Sequence, residues 1–192
     1  MLEKPTREDA MAILKKYNQN DALIKHALAV EAVMGHFAEI YGEGDEEKWR
    51  VIGLIHDLDY EKYPDQHCKK TEEILKAEGW PEEYIRAAIS HGWKICTDVE
   101  PVERVEKVLY TIDELTGLIV ATVLMRPSKS ILDLTLSSVK KKYKNKNFAA
   151  GVDRNIIEDG TALLDMELDK VIEETIKGMQ SAAEELGLKG DL

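Results

Sequence analysis

Five histidines, His26, His36, His56, His67 and His91, are the residues of this 192-residue chain best suited to chemistry. Imidazole beside carboxylate can hold a metal or move a proton near neutral pH. His26 lies three residues after Leu23 and four before Val30, and so shares their apolar helical stripe. His56 and Asp57 close a segment whose inner face carries Ile52 and Ile55. His67 stands in line with Thr71 and Ile74, and His91 ends the segment carrying Ala88. Asp113 follows Leu109 by four residues and precedes Thr116 by three, which puts an acid beside a buried face. A carboxylate there must neutralise, pair with a charge or bind a metal. Iron, manganese, zinc and similar ions suit such a mixed set. His36 falls off the stripe and is expected at the surface.

The stretch Gly53-Leu-Ile-His-Asp57, with His26 upstream and Asp113 downstream, gives the order H…HD…D on consecutive helices. This pattern resembles the HD superfamily of metal-dependent phosphohydrolases over roughly residues 20 to 125. The resemblance implies a divalent metal (iron, manganese, zinc, cobalt, nickel or magnesium) on His26, His56, Asp57 and Asp113. It implies Asp57 as the catalytic carboxylate that orients a metal-activated water, and a nucleotide or other small phosphate ester as substrate. Superfamily members with two metals insert two further histidines before the last aspartate and use the HD aspartate as a bridge. His67 and His91 occupy that interval, as ligands of a second ion or groups around the first, so one or two ions per chain are expected. One departure is Tyr60, where some binuclear phosphodiesterases place a lysine three residues after the aspartate; Lys62 is the nearest here. Two alternatives stay open: a di-iron oxygenase of a small alcohol or phosphonate, and a non-catalytic ligand-binding module. The complete ligand set argues against degeneration to the latter.

The elements that must position these groups read as helices. Thr6 and Asp9 form a capping-box-like start for a helix to about Tyr17. A long amphipathic helix carries Leu23, Ala27, Val30, Val33, Met34 and Phe37, and ends in the glycine-rich turn Tyr41 to Gly44. Asp45 caps the next, which leads into His56-Asp57. Asp65 is expected to cap a helix that Gly79 stops, and Pro81 to start another reaching His91. Val105, Leu109, Ile112, Thr116, Ile119 and Val123 mark a further long helix, and Val171 to Leu186 a final amphipathic one that covers its own core or a homodimer partner. No alternating strand pattern is found. The expected fold is all-α: a single HD-domain helical bundle, with an N-terminal helix over 1–19, a metal-binding core over 20–125 and a C-terminal helical extension over 126–192.

Bulk properties narrow the function. Charge is 26 − 37 = −11, which argues against a nucleic-acid polymer as partner but not against a small phosphorylated substrate at a metal. MLEKPTREDA shows no apolar signal region, and the longest apolar run, Leu115 to Met125, is too short for a bilayer. With two cysteines and no CxxC, a cytoplasmic protein is expected, and Cys68 and Cys96 read as unreactive thiols. Arg126 and Lys129 form a basic break after the Asp113 helix and are candidates for the substrate phosphate. The lysine run from Lys140 to Lys146 reads as a solvated face. Asp59 and Glu61 read as water-facing loop acids, and Glu114 as an acid behind Asp113.

Overall fold

Polar side chains at the helix starts set the element boundaries. In the computed structural model, which describes residues 4–42 and 45–190, α1 (Arg7–Tyr17) opens on a capping box. The Thr6 hydroxyl accepts from the Asp9 amide, and Asp9 accepts from the Thr6 amide. Asn20 caps α2 (Asp21–Tyr41) by accepting from Ala22, and Asp45 caps α3 (Glu46–Ile55) by accepting from Glu47. Gly42 ends α2 with a left-handed φ of 59°; Glu43 and Gly44 of the expected turn lie outside the described residues. The remaining helices are α4 (Lys69–Ala77), α5 (Glu82–Ser90), α6 (Arg104–Leu124), α7 (Leu136–Lys144), α8 (Arg154–Leu164) and α9 (Leu168–Ser181). Among the described residues there is no strand, and the fold is all-α as expected.

Helices α2 and α6 form the centre. The first packs on α3, α6 and α9; the second is covered by α5, α7 and α8. Val30, Val33, Met34 and Phe37 of α2 join Leu109, Ile112, Leu115 and Ile119 of α6 in one buried cluster, to which Val171, Ile172 and Met179 of α9 also belong. The apolar face of α9 therefore covers this chain's own core. Phe37 has no exposed surface, and truncating it to alanine costs about 3–5 kcal/mol. At the α2–α3 crossing, a Cβ added to Gly53 would lie 3.0 Å from the Glu31 Cα. The missing side chain lets the two backbones approach, which brings the end of α3 beside His26.

Two boundaries differ from the sequence expectation. The helix expected from Asp65 begins at Lys69: Pro64–Gln66 forms a single 3₁₀ turn, and Cys68 takes a φ of 64° that breaks the path into α4. Such backbone costs about 1–3 kcal/mol and persists where the surroundings hold it. The final helix stops at Ser181, so Leu186 is buried from a turn rather than from the helix. No helix among the described residues is long and apolar enough to cross a membrane.

Candidate metal centre

Five elements converge on one cleft. His26 comes from the second turn of α2, His56 and Asp57 from the turn that ends α3, His67 from the segment before α4, His91 from the end of α5, and Asp113 from the middle of α6. The His26 Nε2 lies 2.9 Å from the Asp113 Oδ1 and 3.3 Å from the His56 Nε2. The His67 and His91 Nε2 atoms are 3.0 Å apart. Asp57 stands between the two groups and divides its carboxylate: Oδ2 is 3.5 Å from His56 and 3.8 Å from His26, while Oδ1 is 3.3 Å from His91 and 3.5 Å from His67. All six residues expected from the sequence thus lie within one cluster.

The outer nitrogens of three rings are already committed. The His56 Nδ1 donates to the Gly53 carbonyl at 2.8 Å and the His91 Nδ1 to the Ala88 carbonyl at 2.5 Å. A carbonyl oxygen only accepts, so the proton of each neutral ring sits on Nδ1 and the lone pair on Nε2 points inward. For His67 the same role falls to Asp59, whose Oδ1 accepts from Nδ1 at 2.7 Å. Asp59 is fully buried, and its Oδ2 accepts from the Thr71 amide at 2.8 Å, so it also caps the first turn of α4. The expectation that Asp59 faces water is therefore corrected, while Glu61 stays at the surface as expected. Glu61 accepts from the Gln19 and Asn20 amides and fastens the α1–α2 turn.

The charges are strongly coupled. Burial alone would push the Asp113 carboxyl up, but His26 and His56 hold it well below the usual carboxylate range. Burial would likewise pull the four rings down, and Asp57, Asp59 and Asp113 more than offset it. Glu114 is pushed up to about 7, first by burial and then by Asp113, although it accepts from the Asp153 amide. Leu23, Tyr60, Gly92, Ile95, Gly117 and the Gly151–Val152 loop complete the walls of a cleft of about 330 Å³. Among its described lining residues there is no lysine or arginine.

Several expected residues stand elsewhere. Arg126 and Lys129 are not among the cleft's lining residues; the Arg126 guanidinium is held by Asp133 at 2.7 Å and by Ser138. Lys62 donates to the Lys16 carbonyl, while Tyr60, at the position noted for a lysine, sets its ring edge-on to His67 at 5.2 Å. His36 is not a free surface group, since its Nε2 meets the Glu174 Oε2 at 2.7 Å. The cysteines, distant in sequence, touch beside His91, with 3.2 Å between their sulfurs. Gly92 is a site residue that the sequence did not single out, and Asp59 one that it read as facing water. A turn acid that caps a helix twelve residues onward leaves no local signature.

The HD domain family matches residues 23–145, more than half of the chain, and the protein belongs to that family. Comparison with curated proteins and with solved structures gives no match. The match runs beyond Asp113 and takes in α7. Membership places the chain among families that are mostly metal-dependent phosphohydrolases, and the grouping of His26, His56 and Asp57 has the compactness an ion requires.

Proposed function

We propose that this protein is a divalent-metal-dependent phosphohydrolase acting on a nucleotide or another small phosphate ester. His26, His56, Asp57 and Asp113 hold the first ion, and His67 and His91 hold a second that shares Asp57. One observation carries the reading: Nε2 atoms whose Nδ1–H groups are already spent on acceptors face one another and two carboxylates at 3–4 Å. Converging lone pairs repel unless a cation lies among them.

A bound divalent ion would supply a coordinated water of lowered pKa and positive charge at the phosphate oxygens. The chain's own groups do the rest. Asp57 orients the attacking water from between the two positions. Asp59 holds the His67 tautomer, and backbone carbonyls hold those of His56 and His91. Tyr60 and Ile95 border the cleft, and with no lysine or arginine among its described lining residues, phosphate charge would be met at the ion positions.

Elemental analysis of protein purified without chelators, followed by phosphate release from a panel of nucleotides and small esters, tests the proposal. Metal-dependent release abolished by Asp57→Ala supports it. Full turnover in that variant, or no metal bound after anaerobic reconstitution, overturns it. The two positions sharing Asp57 also suit the second reading, a di-iron oxygenase of a small alcohol or phosphonate. Substrate-dependent oxygen uptake without phosphate release distinguishes that chemistry.

A further inference from the structure

The chain has two cysteines, and the fold brings them together. We infer that Cys68 and Cys96 are an oxidation site, at which a hydroperoxide closes an intrachain disulfide beside the second ion position. Their sulfurs lie 3.2 Å apart, and a disulfide needs about 2 Å, so closure requires an approach of roughly 1 Å.

Three features place the sulfurs. Cys68 adopts a φ of 64° between the 3₁₀ turn and α4, a conformation that non-glycine residues rarely take. Cys96 is set by a tight loop in which the Gly92 carbonyl accepts from the amides of Ile95, Cys96 and Thr97 at 2.9–3.1 Å. Gly92 also leaves the space that both sulfurs fill: a Cβ there would lie 2.5 Å from each of them. Access is unequal, since Cys96 is exposed and Cys68 buried. An oxidant therefore reaches Cys96 first, and Cys68 waits behind it as the resolving thiol.

The chemistry balances with one hydroperoxide per pair. The Cys96 sulfur attacks the terminal oxygen, the O–O bond breaks, and Cys96 becomes a sulfenic acid while the peroxide leaves as an alcohol, or as water from hydrogen peroxide. The Cys68 sulfur then attacks the Cys96 sulfur. The S–O bond breaks, and the hydroxyl leaves as water with the Cys68 proton. Two electrons pass from sulfur to peroxide. The new bond ties together segments that carry His67, one residue before Cys68, and His91, one residue before Gly92; the Cys68 sulfur already lies 4.0 Å from the His91 Nε2.

Closure does not depend on the metal reading, and the test is run on protein freed of metal with a chelator. Full-length protein is treated with a small excess of hydrogen peroxide, and thiols are counted after denaturation. The expected result is a fall from two thiols to none, a 68–96 crosslink in the non-reduced peptide map, and recovery of both thiols with dithiothreitol. Cys96→Ser is expected to keep its buried thiol at the same dose. Cys68→Ser is expected to give a Cys96 sulfenic acid that dimedone traps. Two persistent thiols, an irreversible sulfinic acid in the unaltered chain, or a crosslink between two chains overturns the proposal. So does loss of the Cys68 thiol in Cys96→Ser at the unaltered rate.

Discussion

Helix α2 carries two histidines, and each meets a carboxylate from another helix, yet the two pairs differ in kind. At His36, the partner Glu174 of α9 also accepts from Lys170 at 2.7 Å and Lys177 at 2.8 Å. At His26, Asp113 meets the imidazoles of His26 and His56, with a second carboxylate, Asp57, 3.8 Å from the same His26 Nε2. The first site gathers its cations from the protein and is electrically complete. The second gathers acceptors, and among its described lining residues there is no lysine or arginine. A histidine beside a carboxylate is thus a poor sign of a metal by itself. The discriminating sign is whether the fold has already supplied the positive charge.

Four substitutions break or sharpen that contrast. Asp57→Ala is expected to have the largest effect, because it removes an oxygen from each proposed ion position: metal content falls toward zero and turnover drops at least about a hundredfold. Elemental analysis alongside the phosphate-release rate checks it. Asp59→Asn comes next. Its amide is a weaker acceptor for His67, so second-position affinity falls by about 10–100-fold while the first ion remains, as read by metal titration of the purified variant.

Glu174→Gln probes the electrically complete site. It is expected to leave metal content unchanged and to lower stability by about 1–2 kcal/mol in urea at neutral pH. Burial pushes the Glu174 carboxyl up, but Lys170, Lys177 and His36 outweigh it and bring it down from 4.5 to about 2. Between those values the unfolded chain binds more protons, so this contribution is full above about pH 5 and drains away toward pH 2. The stability gap between the unaltered chain and the variant should therefore narrow as acid is added; a gap constant with pH would show that charge is not its source. Arg126→Ala is expected to do least. With its guanidinium engaged by Asp133 and outside the cleft's described lining, the KM for a phosphate ester should change less than about twofold. A tenfold rise would return Arg126 to the substrate.

Much of this arrangement was legible in the chain. The apolar stripe through Leu23, His26 and Val30 and the position of Asp113 between Leu109 and Thr116 set the inward faces of α2 and α6, because helical period fixes direction. What escaped is non-local. His67 is legible as a site residue, but its route into the cleft, through a 3₁₀ turn and a positive-φ cysteine rather than along a helix face, has no period to read. Asp59 and Cys96 gain their partners only when the chain folds back, across eight residues in one case and twenty-eight in the other. His36 looked exposed because its partner lies 138 residues away.

The divided carboxylate of Asp57 has a thermodynamic consequence. With Oδ2 turned to His26 and His56 and Oδ1 to His67 and His91, one side chain belongs to both binding equilibria of the proposed pair. An ion that freezes this carboxylate spares the next ion the entropy of doing so, and by reciprocity the second strengthens the first by the same factor. Direct repulsion between the two ions acts the other way, and its size depends on how much charge the shared carboxylate screens. Filling of the two positions is for that reason a single linked process, read in the steepness of a titration rather than in two independent constants.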